Sequence, residues 1–174
     1  GTTGSGKTNT AFHLLEQLRD NDVRFLVIEP AKGEYRALRA SFGDLKLITV
    51  GSDEAPLRVN PFYVPSGIAV QTHLDYLLSL FAASFVLYAP MPYVLESAMQ
   101  EVYIDKGWDL VSGVCTRDTE RSERAFPTLT DLYYKVDEVV ERLGYGQRIE
   151  RDVRAALHAR LNSLRAGSKG AMLD

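Results

Sequence analysis

The chain has 174 residues, 45% of them hydrophobic and 25% charged, an ordinary globular balance that excludes a low-complexity or disordered polypeptide and leaves room for one sizeable core with a small second lobe. Its formal net charge of −3 excludes a strongly basic, nucleic-acid-coating protein, and its single cysteine, Cys115, excludes an internal disulfide and fits a reducing, cytoplasmic setting. The uncharged stretch that begins at Tyr76 is broken by Pro90 and Pro92 before it offers the ~20 uninterrupted residues a membrane-spanning helix needs, so it predicts a buried core helix and no membrane contact.

In chain order, the first eight residues fit G-x-x-x-x-G-K-[ST], a phosphate-binding loop. A nucleoside triphosphate needs many donors close to its phosphates, and backbone N–H groups supply them without side-chain bulk. Glycines at 1, 4 and 6 let the backbone curl and approach closely. Gly1, Thr2, Thr3, Gly4, Ser5, Gly6, Lys7, Thr8 and Asn9 then form the expected cradle for ATP. Lys7 reaches the β- and γ-phosphates, the Thr8 hydroxyl sits on Mg²⁺, and the following helix adds the partial positive charge of its N-terminus. Such a loop follows a parallel strand. The chain opens on the loop's first glycine and without methionine, so the expectation is a piece of a longer protein whose first strand lies upstream.

Asn9–Arg19 reads as the helix behind the loop, with Ala11, Phe12, Leu15 and Leu18 on one face. His13 lies in it and is assigned no role. The run VRFLVI over 23–28 is nearly continuous apolar sequence, as in a central parallel strand covered on both faces, and ends in Glu29-Pro30. Glu34–Ser41 reads as a short helix and LKLITV over 45–50 as a second strand, so the first fifty residues alternate helix and strand and predict a parallel α/β sheet. Residues 51–67 hold three prolines and two glycines and read as an irregular connection.

From Ile68 the periodicity becomes helical. Helices are predicted over Ile68–Tyr88, apolar almost all round, and from Pro92 to Gly107, with Leu95, Ala98, Met99 and Val102 on its stripe. The charged segment Thr116–Arg124 reads as a solvated loop. Thr128-x-x-Asp131 resembles a capping pattern before a helix striped by Leu132, Val136, Val139, Val140 and Leu143 and ended by Gly144. Gln147–Arg165 is the fourth helix, with Ile149, Val153, Leu157, Leu161 and Leu164 turned inward. The expected division is therefore a first part of the nucleotide-binding core over 1–67, a four-helix bundle inserted at 68–166, and a return to the core over 167–174.

Hydrolysis needs an acid at a strand end for Mg²⁺ and a carboxylate that orients the attacking water. Phe25-Leu26-Val27-Ile28-Glu29 is a hydrophobic run ending in an acid. Two readings stay open: Glu29 supports Mg²⁺, or it ends a strand near the phosphates. A hydrophobic run ending in two acids occurs nowhere in the chain and is expected beyond Asp174. Without it and the first strand, these residues alone are expected to be a poor ATPase.

The loop GTTGSGKTNT, the segment Ile28-Glu29-Pro30-Ala31-Lys32-Gly33-Glu34-Tyr35, the triplet Asn60-Pro61-Phe62 and the helical insertion together resemble the HerA–FtsK superfamily, and most of all the HerA-like helicase and translocase ATPases. The similarity covers essentially the whole chain. It implies a P-loop NTPase core with a RecA-like parallel sheet, assembled as a hexameric homo-oligomer. ATP and Mg²⁺ lie between subunits and duplex DNA passes through the centre, with a nuclease or other effector as a possible partner. Carried over by position, Lys7 and Thr8 are the phosphate and Mg²⁺ residues. Glu29 stands where many members have Asp, and Glu34 is the glutamate of Gly-Glu-Tyr, expected near the active site. A neighbouring subunit's arginine is also implied. Arg165 and Arg160 are candidates for it, and solvation of the last helix is the other reading for both. DNA binding enters only through this resemblance. A P-loop phosphotransferase with Arg117, Arg121 and Arg124 as a lid, and a nucleotide-binding switch without turnover, are the alternative functions.

Overall fold

A computed structural model describes residues 6–30, 33–50 and 57–173, and the chain separates into two compact units, Gly1–Ile48 and Thr49–Asp174. The first unit is built on α1, Lys7–Asp20, whose last turn carries Arg19 and closes through Asn21. A 3₁₀ turn, Glu34–Ala40, packs against it. Leu15, Leu38 and Phe42 are buried there, with Phe12, Leu18, Phe25, Tyr35 and Leu45 half-buried around them. The α1 face is the one its spacing predicts.

The two predicted central strands are a correction. Residues 23–28 and 45–50 belong to no ladder among the described residues. Leu26 and Ile28 are 84% and 82% exposed, and Val50 is 61% exposed. An apolar run specifies burial, but a strand also needs a neighbour for its backbone N–H and C=O groups, and among the described residues neither segment has one. The predicted parallel sheet is therefore not formed here. The helix expected at 34–41 is present in its tighter 3₁₀ form.

The second unit is helical. Its main elements are α2 (Val70–Ser84), α3 (Met91–Asp105), α4 (Leu129–Leu143) and α5 (Gln147–Arg165), followed by α6 (Gly167–Leu173). α3 packs between α2 and α4, and α5 packs on α4. Their stripes meet in one core that includes Leu95, Ala98, Met99, Leu132, Val136, Leu157 and Leu161. Phe62 and Val64 from the preceding segment are buried in the same core. Ile149, predicted inward on α5, is 49% exposed: in the first turn of α5 it stands clear of the core that holds Val153, Leu157 and Leu161.

Three further expectations need correcting. α2 stops at Ser84 rather than Tyr88, because Phe85 is extended and the chain must reach the prolines ahead of α3, where Met91 N–H donates to Tyr88 O at 2.8 Å. α2 is also not apolar-buried all round, since Tyr76 and Leu80 are 66% and 58% exposed. A short antiparallel hairpin, β1 (Trp108–Asp109) with β2 (Val114–Cys115), lies in a helical half for which no strand is predicted. The Asp109 carboxylate accepts from the N–H groups of Val111 and Ser112, which closes the hairpin's turn and holds that carboxyl below its usual range.

The charge run 116–124 is not simply solvated. Arg121 donates to Val64 O at 3.0 Å and lies over the rings of Trp108 and Phe126. Arg117 donates to Asp105 O at 2.5 Å. Finally, α6 occupies the stretch expected to return to the core, and Met172 O accepts from Val59 N–H at 2.7 Å. The turn from α5 into α6 is so close that a Cβ on Gly170 would lie 1.8 Å from Arg165 O. Among the described residues no helix is long and apolar enough to cross a membrane.

Candidate nucleotide site

α1 begins at Lys7, directly after Gly6, whose φ of 75° is left-handed and turns the incoming loop into the helix. Thr10 N–H and its hydroxyl both donate to Gly6 O, at 2.9 and 3.1 Å. Gly6 has no side chain with which to cap this N-terminus, and no acidic residue lies in its first turn. The positive end of the helix dipole there favours an anion. Gly1 through Ser5, the rest of the expected cradle, lie outside the described residues. Lys7 and Asn9 are exposed at the start of α1.

The structure brings Thr8, Glu29 and Glu34 together. The Thr8 hydroxyl donates to Glu34 Oε2 at 2.7 Å across a sequence separation of 26 residues. Glu34 N–H in turn donates to Glu29 Oε1 at 2.9 Å. The 3₁₀ turn that carries Glu34 is fixed on α1 by an edge-to-face contact of Tyr35 with Phe12, centroids 5.2 Å apart. Sequence reasoning did not give Tyr35 this supporting role. The Gly-Glu-Tyr triplet was visible, but nothing in local spacing shows which ring of α1 it meets.

These oxygens suit a small, hard cation. Mg²⁺ is held by one or two protein oxygens together with phosphate oxygens and water, and a hydroxyl beside carboxylates supplies the protein's share. Among the described residues no three His, Cys, Asp or Glu side chains lie together as a metal cage. When bound, Mg²⁺ supplies charge neutralisation on the phosphates. The Thr8 hydroxyl is held by its hydrogen bond to Glu34 in the first turn of α1.

Arg165 belongs to the second unit. Its Nε donates to Thr130 Oγ1 at 3.1 Å, Nη1 donates to Asn162 Oδ1 at 3.2 Å, and the guanidinium lies 4.5 Å from the Tyr133 ring centroid. Tyr133 also stacks on His158, with Asp137 at ion-pair distance from both His158 and Arg154. Arg160 donates to the carbonyls of Ala156 and Val86, both at 2.7 Å.

A left-handed glycine leading into a helix N-terminus, with a threonine hydroxyl and two glutamates beside it, is compatible with a P-loop nucleotide site. Comparison with known families agrees: a family model described as "Helicase HerA, central domain" matches residues 1–169, and the chain belongs to that family. The match supports an ATPase of the HerA-like family, a family that generally uses ATP and Mg²⁺. No curated protein and no solved structure gives a significant match.

Proposed function

We propose that this chain is the ATP-binding portion of a hexameric motor that couples ATP hydrolysis to translocation or unwinding of duplex DNA. The observation that carries the reading is the convergence of Thr8, Glu34 and Glu29 at the start of α1, in a chain that belongs to the HerA family. Lys7 holds the β- and γ-phosphates, Gly1 to Asn9 cradle them, and Thr8 is the protein's Mg²⁺ ligand. Segments 23–28 and 45–50 pair in a parallel RecA-like sheet once neighbouring strands are present. Their exposed apolar side chains support that role. In this reading 1–67 serves the nucleotide core, 68–166 is the inserted helical part, and 167–174 leads back to the core. Arg165 is the arginine we assign to a neighbouring subunit's nucleotide. Arg160 remains the other candidate, and two guanidinium nitrogens of each arginine are engaged within the helical unit.

The phosphotransferase reading, with Arg117, Arg121 and Arg124 as a lid, has less support, because Arg117 and Arg121 hydrogen-bond to carbonyls of the helical unit. The deciding measurement is ATP hydrolysis by the intact protein with and without duplex DNA, alongside Lys7→Ala. The expected result is hydrolysis stimulated by DNA and abolished in the variant. Lysine-dependent hydrolysis indifferent to DNA overturns the DNA part of the reading, and nucleotide binding without any turnover leaves a switch.

A further inference from the structure

We infer that Glu34, and not Glu29 at the end of the apolar run 23–28, is the carboxylate that supports Mg²⁺ at Thr8, and that Glu29 is a positioning residue acting through the Glu34 backbone. The inference rests on the reading of this site as an ATP site and assigns roles within it. A threonine hydroxyl has one hydrogen and two lone pairs. At Thr8 the hydrogen is directed to Glu34 Oε2, 2.7 Å away, so the lone pairs face away from the carboxylate and are available to a cation. A cation bound there strengthens the hydroxyl as a donor, and the carboxylate that receives it returns negative charge to the cation's surroundings. The two interactions therefore reinforce each other.

Glu29 is arranged differently. Its Oε1 accepts the backbone N–H of Glu34 at 2.9 Å. This is a structural bond that sets where the 3₁₀ turn begins, and so where the Glu34 side chain leaves the backbone. Tyr35 on Phe12 anchors the next residue of the same turn to the helix that carries Thr8. Donor and acceptor of the Thr8–Glu34 bond are thus held on one packed pair of elements, with Glu29 fixing the third corner. Glu29 ends an apolar run with no second acid beside it, and the carboxylate that meets the Thr8 hydroxyl stands five residues later.

The test is the affinity of the intact protein for a fluorescent ATP analogue, measured with Mg²⁺ and again in EDTA, for Glu34→Gln, Glu29→Ala, Glu29→Gln and Lys7→Ala. Loss of a group that orients a metal ligand costs about 10–100-fold in metal-dependent affinity. Glu34→Gln keeps the shape and an acceptor oxygen but removes the charge. It is expected to lose about that factor of the Mg²⁺-dependent gain, with affinity in EDTA far less affected. Glu29→Ala should lose part of the gain, and Glu29→Gln should recover it, because a glutamine amide oxygen still accepts the Glu34 N–H. Circular dichroism of each variant checks that the fold is kept. The assignment is overturned if Glu34→Gln keeps the whole Mg²⁺ gain, or if Glu29→Gln loses as much as Glu34→Gln. If instead Lys7→Ala binds the analogue as well as the unmodified protein, the ATP site itself is misplaced and this assignment falls with it.

Discussion

The Tyr103 hydroxyl donates to Phe62 O at 2.5 Å, deep in the helical unit, and burial pushes its phenol far above the ordinary range. The sign of the consequence follows from which state releases the proton. Above pH ~10 a tyrosine in the unfolded chain ionises while Tyr103 in the fold stays neutral, so the unfolded state binds fewer protons and stability falls with rising pH. The fall from this one group is about 1.4 kcal/mol per pH unit, starting at the unfolded phenol's range and continuing until the folded one is reached. Urea midpoints between neutral and alkaline pH should therefore drop more steeply in the unmodified protein than in Tyr103→Phe. At neutral pH the variant should be less stable by about 1–3 kcal/mol, because Phe62 O is left buried without its donor. A parallel slope in the two proteins would show that Tyr103 does not carry the effect. At this scale the sequence was an uneven guide. The motif holding Lys7 and Thr8 was visible in the sequence because it is local. The Thr8–Glu34 bond was not, since it joins residues 26 apart whose meeting depends on Tyr35 packing against Phe12.

Among the elements, α4 shows how far local sequence reaches. Thr128 Oγ1 accepts from Asp131 N–H and the Asp131 carboxylate accepts from Thr128 N–H, the reciprocal pair its sequence pattern announces. Asp131 also pairs with Lys106, just past the end of α3, at 3.0 Å, so one carboxylate both starts α4 and ties it to its neighbour. Thr128→Ala is expected to cost about 1 kcal/mol in a denaturation series. A value near zero would mean that Asp131 holds the helix start alone. α5 matched its predicted bounds for the same reason: its apolar spacing is long and regular. The short hairpin of β1 and β2 was invisible because two residues per strand display no alternation, and its only cue was Asp109 before a Ser-Gly turn. The runs at 23–28 and 45–50 misled in the opposite sense. They carry a strand's composition, but pairing is a property of two segments, and composition describes only one.

For the whole molecule, the two compact units differ in how much they bury. Among the described residues Gly1–Ile48 rests on Leu15, Leu38 and Phe42, whereas Thr49–Asp174 has an extended core running through α2, α3, α4 and α5. Local opening follows buried contact, so amide exchange should be slow in α3 and α4 and fast in α1. Nucleotide with Mg²⁺ should then slow α1 and the turn at Glu34–Ala40 and leave α4 unchanged, because ligand stabilises the region that binds it, by about 2.7 kcal/mol at a hundredfold excess over Kd. Protection of α4 in place of α1 would put the nucleotide elsewhere. The fold of the helical unit was largely readable from periodicity. The first unit was readable as a local motif but not as architecture, since a glycine-rich loop is a local pattern while a parallel sheet depends on partners.

The close approach at Gly170 has a consequence for how this chain can vary. Every codon one base away from glycine that still encodes an amino acid other than glycine adds at least a Cβ, and a Cβ there would meet Arg165 O at 1.8 Å. The position is therefore a dead end for point mutation, although nothing in its chemistry marks it as functional. Lineages that alter it would lose the protein through turnover in the cell rather than through a failed reaction. In a survey of variants it would stand beside Lys7 as intolerant, and only abundance would tell the two apart.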